Sequence, residues 1–422
     1  MNREIVRSVI LGTAAVVCLV LPKARAAIPG ITGTTFNFSA KTGYIATSDG
    51  GSFLMWGYAE DPNEMQYPGP TLIVNQGDTI TVNLTNQLSV PVSIVFPGQT
   101  GVTATGGSAG LLTRHADPNG GTVSYSFTAS KAGTYMYHSG TSPELQIEMG
   151  LLGAIIVRPT GYDHMMPRAY EHMDSMYDRE FLFLQTEMDP HIHELIEQGR
   201  IAEVDATTWW PTCWFLNGRD GMDTMLPAHL PWMMTQPYNC MPMMHPGEKV
   251  LLRLLSAGRD FHPFHTHGNN FTVIAQDGRL LQSAPGAGAD VATSNFTISV
   301  PPGGTADAIF TWTGEKLGWD MYGHAPEDPM EPGEYAPDHG KPLPVTLPTQ
   351  QEVTNGMMWS GSPFLGTMGV LPPGEGGYNP NSGYTYMWHS HAEKELTSND
   401  IFPGGMFTML MIEPPSAPIM DH

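Results

Sequence analysis

Thr134-Tyr135-Met136-Tyr137-His138-Ser139-Gly140 and Thr385-Tyr386-Met387-Trp388-His389-Ser390-His391 are two copies of one strand, and each is followed by a glycine-containing apolar strand, at residues 149–159 and 405–414. A second repeated pair lies upstream. Thr79-Ile80-Thr81-Val82-Asn83-Leu84 follows a Gly77-Asp78 turn, and Lys249-Val250-Leu251-Leu252-Arg253-Leu254 follows Gly247-Glu248. The first alternates polar and apolar, as a half-buried strand does, and the second places Val250, Leu252 and Leu254 on one face. From Asp78 to Gly98 is 20 positions, as it is from Glu248 to Gly268, where the copies end Ile94-Val95-Phe96-Pro97-Gly98 and Phe264-His265-Thr266-His267-Gly268. Two homologous β domains follow, over residues 28–160 and 165–415.

The rest of the chain agrees with this reading. Gly (47) and Pro (37) are abundant, strand-like runs are short, and helical patterning is confined to a brief stretch at residues 193–200, so the fold class expected is all-β, as sandwiches. The second copy is longer by residues 323–383, crowded with Pro, Gly and acidic residues and too long for a simple turn. That insertion reads either as disordered or as a lid or wall of a site.

Side chains two apart on a strand share a face, so His265 and His267 project together, and so do His389 and His391. Four imidazoles on two strands of one repeat unit form a metal-binding pattern. Imidazole suits copper, zinc, iron and nickel, so ligand type alone does not name the ion.

His262-Pro263-Phe264-His265-Thr266-His267-Gly268, Tyr67-Pro68-Gly69-Pro70-Thr71, residues 133–153 and the tail 389–406 together resemble the multicopper oxidases. The likeness extends over nearly all of the chain after its leader, with a domain count similar to the small two-domain laccases and copper nitrite reductases. It implies two Greek-key cupredoxin-like β-sandwich domains, copper as cofactor and a homotrimer in which domain one of a subunit meets domain two of its neighbour. Position by position, His265 matches a type 2 copper ligand, and His267, His389, His391 and His138 match type 3 ligands. Val95, Pro97 and Gly140 fall on three further positions of the trinuclear set and carry no side-chain donor. At the type 1 position the family's cysteine falls on Ser390, whose neutral hydroxyl cannot replace a thiolate. The other type 1 ligands fall on His262, on Glu395 in place of histidine and, after a longer spacer, on Met406. A harder ion held by His262 and Glu395 is the remaining reading of that position.

The length of 422 residues suits two or three domains. Residues 1–26 read as an export signal, with Arg3 and Arg7 near the start, no charge over residues 9–21 and Ala24-Arg25-Ala26 as a cleavage site. No other segment reaches transmembrane length, so a periplasmic or extracellular location without membrane insertion is expected. Cleavage would remove four of the 19 basic and one of the 41 acidic residues, leaving 15 against 40 and a formal net charge of −25. Such a charge disfavours nucleic acid and anionic membranes as partners.

Cys18 leaves with the signal; Cys213 and Cys240 remain, as a disulfide, two free thiols or soft metal ligands. Their place in the opening of domain two, away from the ligand strands, predicts the disulfide. The 27 methionines cluster at Met165-Met166, Met173, Met176 and Met241-Pro242-Met243-Met244. Thioethers suit Cu(I), but no spacing fixes a geometry, so core filling is favoured. His191-Ile192-His193 reads as surface, because helical residues two apart do not share a face. The function expected is a copper-dependent oxidoreductase acting on a small-molecule reductant or oxygen, with a non-catalytic copper-handling protein and a metal-free scaffold as alternatives.

Overall fold

In the computed structural model the described residues are 28–331, 333–344, 361–364 and 383–419. The leader expected over residues 1–26 lies outside them. No helix among them is long and apolar enough to cross a membrane.

The chain is built from strands stacked as two sandwiches. In the first, one sheet orders Ile31–Thr32, Leu72–Asn75, Leu152–Arg158 and Gly133–His138. The other orders Ser52–Glu60, Thr35–Ala46, Thr79–Asn86, Gly121–Thr128 and Thr103–Gly106. Alternation makes Thr79–Asn86 a one-faced strand: Ile80, Val82 and Leu84 bury between the sheets with Phe38, Tyr125 and Tyr137.

The second sandwich has one sheet that includes Cys213–Leu216, Arg179–Met188, Lys249–Ser256, Thr305–Thr311 and Phe271–Gln276. The facing sheet orders Met243–Met244, Phe407–Ile412, Gly383–Ser390, His262–Thr266 and Thr297–Val300. Lys249–Ser256 departs from simple alternation because both of its faces are covered. Val250, Leu252 and Leu254 face the core of the second sandwich, while Leu255 joins Met136, Leu152, Ile156, Leu184 and Phe215 in an apolar layer between the two sandwiches. Beside that layer lies a buried ionic group. Arg158 grips the Glu180 carboxylate with both guanidinium arms, Arg253 Nε donates to Glu180 Oε2 at 2.9 Å, and Arg253 Nη1 donates to Thr134 Oγ1 at 2.9 Å.

Several expectations are corrected here. Cys213 and Cys240 are both free and buried. They lie in different apolar clusters, Cys213 in the layer between the sandwiches and Cys240 in the core of the second, so no bridge joins them. The Cys213 thiol donates to Asn399 Oδ1 at 3.5 Å, and burial pushes its pKa up to about 12. His193 is buried, unlike its exposed neighbour His191: in helix Pro190–Glu197 its Nδ1–H donates to the Leu54 carbonyl at 2.6 Å. The methionines divide, with Met244 fully buried but Met165, Met166 and Met173 exposed. Part of the insertion is described, at residues 323–331, 333–344 and 361–364. Leu343 of the insertion packs into the core of the second sandwich, as do Leu317, Trp319, Met321 and Tyr322 just before it, and Ser362–Phe364 pairs with Gly383–Ser390. Residues 345–360 and 365–382 of it lie outside the described residues.

Candidate metal centre

Antiparallel pairing of His262–Thr266 with Gly383–Ser390 places His265 directly opposite His389. Phe264 and Trp388 point inward from the same two strands and are fully buried in the core. Period-two alternation therefore turns the histidines to the outer face of the sheet. His391 N–H donates to the Pro263 carbonyl at 2.8 Å, and Trp388 Nε1–H donates to the His267 carbonyl at 3.0 Å, holding the next residue of each strand in place.

The four rings meet. Centroids of His265 lie 4.8 Å from His267, 5.5 Å from His389 and 4.8 Å from His391; His267 and His389 are 5.2 Å apart. One nitrogen from each of His265, His267 and His389 lies within 4.8 Å of the others, and His267 Nε2 is 3.3 Å from His389 Nε2. That separation is close to the edge of a tetrahedral site with metal–nitrogen bonds of about 2.0 Å. The outer nitrogens are already engaged: His265 Nδ1 with Thr297 Oγ1 at 2.6 Å and His389 Nδ1 with the Ser390 carbonyl at 2.6 Å. Such bonds fix ring orientation and leave Nε2 as the donor. Burial, reinforced by the neighbouring rings, pushes the His265 pKa down to about 4, and burial also holds His389 below its ordinary value. Three imidazole nitrogens gathered within 4.8 Å of one another make a donor set that fits copper.

His138 occupies the corresponding place in the first sandwich, where it bridges to Val95 as His389 faces His265. Among the described residues its hydrogen bonds and ring contacts do not reach the other four histidines; its Nδ1–H donates to the Ser139 carbonyl at 2.9 Å. At Gly140 a Cβ would stand 2.6 Å from Val95 Cγ1, so a histidine has no room there while valine holds position 95.

His262, Glu395 and Ser390 come together on the inner side, but as a hydrogen-bonded group that includes a residue the sequence reading missed. His262 Nε2 lies 2.8 Å from Glu187 Oε2, and Nδ1 lies 3.0 Å from Glu395 Oε2, with all three side chains nearly or fully buried. Ser390 Oγ–H donates to the same Glu395 oxygen. Burial alone would lower the His262 pKa; the two carboxylates outweigh it and raise the value to about 9. An imidazolium has two N–H donors and no lone pair for a metal. The Met406 sulfur, fully buried, accepts from Gln185 Nε2 at 3.6 Å. An acidic residue shortly after the apolar run Phe181-Leu182-Phe183-Leu184 was the available signal for Glu187; its distance in sequence hid its partner.

Multicopper oxidase family models match residues 59–161 and 221–317. Copper resistance protein A of Escherichia coli is 26% identical over 276 residues, 60% of this chain and 44% of that protein. L-ascorbate oxidase of Cucumis sativus is 39% identical over 97 residues, 22% of this chain and 16% of that one. The chain thus spans less than half the length of these curated relatives. Among solved structures, blue copper oxidase from Nitrosomonas europaea aligns with a TM-score of 0.57 and 18% identity, covering 89% of this chain and 85% of that one. Copper nitrite reductase from the same organism aligns with a TM-score of 0.51 and 16% identity over 92% and 98%. The chain thus carries two regions that match multicopper oxidase models, and its fold is the cupredoxin fold of solved multicopper oxidases and copper nitrite reductases.

Proposed function

We propose that the chain is an exported copper-dependent oxidoreductase in which His265, His267, His389 and His391 hold copper and which has no blue copper centre. The observation that carries this reading is the meeting of four imidazoles on the outer face of two paired strands, two of them with Nδ1 already bonded elsewhere. Copper bound there supplies one-electron exchange with a small-molecule reductant or oxygen. His391 is exposed, which gives such a molecule a direct approach. The serine at position 390 and the carboxylate-bound His262 support the loss of the type 1 site.

His138 would join as a ligand from the neighbouring subunit of a homotrimer, a role supported by its place at the domain-one counterpart of His389. Export is supported by the charge and apolar pattern of residues 1–26. The exposure of Met165, Met166 and Met173 favours a second reading, copper handling without turnover.

Metal analysis of purified protein, electron paramagnetic resonance and oxygen uptake with a chemical reductant test both readings. Stoichiometric copper with type 2-like signals and oxygen uptake is the expected result. Copper without uptake selects the handling role. An intense blue thiolate band overturns the proposed copper inventory.

A further inference from the structure

We propose that Asp320, His324, Glu334 and His339 form a second metal site, separate from the histidine centre, that takes a divalent cation of the zinc class and clips the insertion to the second sandwich. One donor atom from each residue lies within 4.8 Å of every other. His324 Nδ1 is 3.6 Å from Asp320 Oδ2 and 3.5 Å from Glu334 Oε2; His339 Nδ1 is 3.7 Å from Asp320 Oδ2 and 2.7 Å from Glu334 Oε1. A tetrahedral shell with bonds of about 2.0 Å has edges of about 3.3 Å, so adjustments of a few tenths of an ångström bring most of these pairs to that geometry.

The charge balance points the same way. The side chains of Asp320 and Glu334 are 0% and 4% exposed, and their ion-pair partners among the described residues are the two histidines alone. No lysine or arginine compensates them there. Two adjoining buried carboxylates with imidazoles as their ion-pair partners form a donor set whose charge a divalent cation would neutralise.

The donors are also held in position. Asp320 accepts from the backbone N–H groups of Tyr322 and Gly340, both at 2.8 Å, while Glu334 Oε2 accepts from Glu331 N–H at 2.8 Å. The Tyr322 ring stacks on His324 at 5.6 Å. Two imidazoles and two carboxylates without sulfur suit a borderline ion better than Cu(I), and four protein donors close the shell in the manner of a structural site. Leu317, Trp319, Met321, Tyr322 and Leu343 anchor the flanks of this loop in the core, so an ion here ties residues 324–339 to an already fixed base.

Equilibrium dialysis of the full chain against Zn(II) tests the site. Wild type should retain one more zinc per chain than His324→Ala/His339→Ala, and that increment should persist in a His265→Ala/His389→Ala background. Equal zinc counts with and without His324 and His339 would overturn the proposal. Should the double alanine variant lose its far-ultraviolet circular dichroism, Glu334→Gln decides: an affinity for zinc at least tenfold weaker upholds the site, and an unchanged affinity refutes it.

Discussion

His265 stands opposite His389 across two antiparallel strands, and Val95 stands opposite His138 at the matching place in the first sandwich. One architecture therefore carries a histidine pair in one copy and half of it in the other. Copper should depend on the intact pair. Replacing His265 and His389 together with Ala is expected to remove the copper of the histidine centre, measured by metal analysis. Both side chains are buried and hydrogen-bonded but neither belongs to the apolar cluster behind them, so the fold should persist at a cost of about 1–3 kcal/mol in urea denaturation. Full copper retention would place the centre elsewhere.

The Glu187–His262–Glu395 group predicts a pH dependence. His262 has its pKa raised to about 9 in the folded chain against an ordinary 6.5, so folding favours its protonated form. Its contribution is fully present below about pH 6.5 and is lost as pH rises through about 9. The shift corresponds to about 3 kcal/mol. Urea unfolding of wild type at pH 6 and pH 9.5, compared with His262→Asn, should show a decline of that order in wild type that is missing from the variant.

The paired repeats made the two sandwiches, the facing strands and the outward histidines legible, because strand register is fixed wherever one face is buried. Val95 and His265, aligned from sequence spacing, do hold equivalent positions. The inner group was less legible: Glu187 reaches His262 from a different sheet, and no local pattern encodes that contact. His193 was misread because the helix was judged by its own periodicity, whereas its burial comes from packing against the strand that carries Leu54. The donors of the insertion lie in a segment whose Pro, Gly and acidic composition reads only as loop.

The cysteines give a third prediction. Burial in two separate apolar clusters should leave both as thiols. Thiol titration without reductant should find little reactivity in native protein and two groups once the leaderless chain is denatured. Burial raises both pKa values, which lowers the reactive thiolate fraction in the native state. A count of zero after denaturation would restore the disulfide inferred from sequence.

Glu180 links the sandwiches through charge rather than apolar contact. Its carboxylate is shared by Arg158, at the end of the last strand of the first sandwich, and Arg253, on a central strand of the second; Arg253 also bonds Thr134 of the first. Burial would raise the Glu180 pKa, but the two guanidinium groups reverse this and hold it at about 2. The carboxylate thus contributes stability above its ordinary 4.5 that is lost as pH falls through about 2. Removing it leaves two buried cations without their shared partner, a change that costs about 3–5 kcal/mol in comparable buried pairs. Glu180→Ala should therefore be among the more destabilising single changes at neutral pH. Glu180→Gln should also destabilise, because it keeps the shape and loses the charge. Urea unfolding followed by circular dichroism and by limited proteolysis checks this. A loss below about 1 kcal/mol for Glu180→Ala would mean that the arginines find other partners or water, and that the apolar layer around Leu255 and Phe215 alone holds the two sandwiches together.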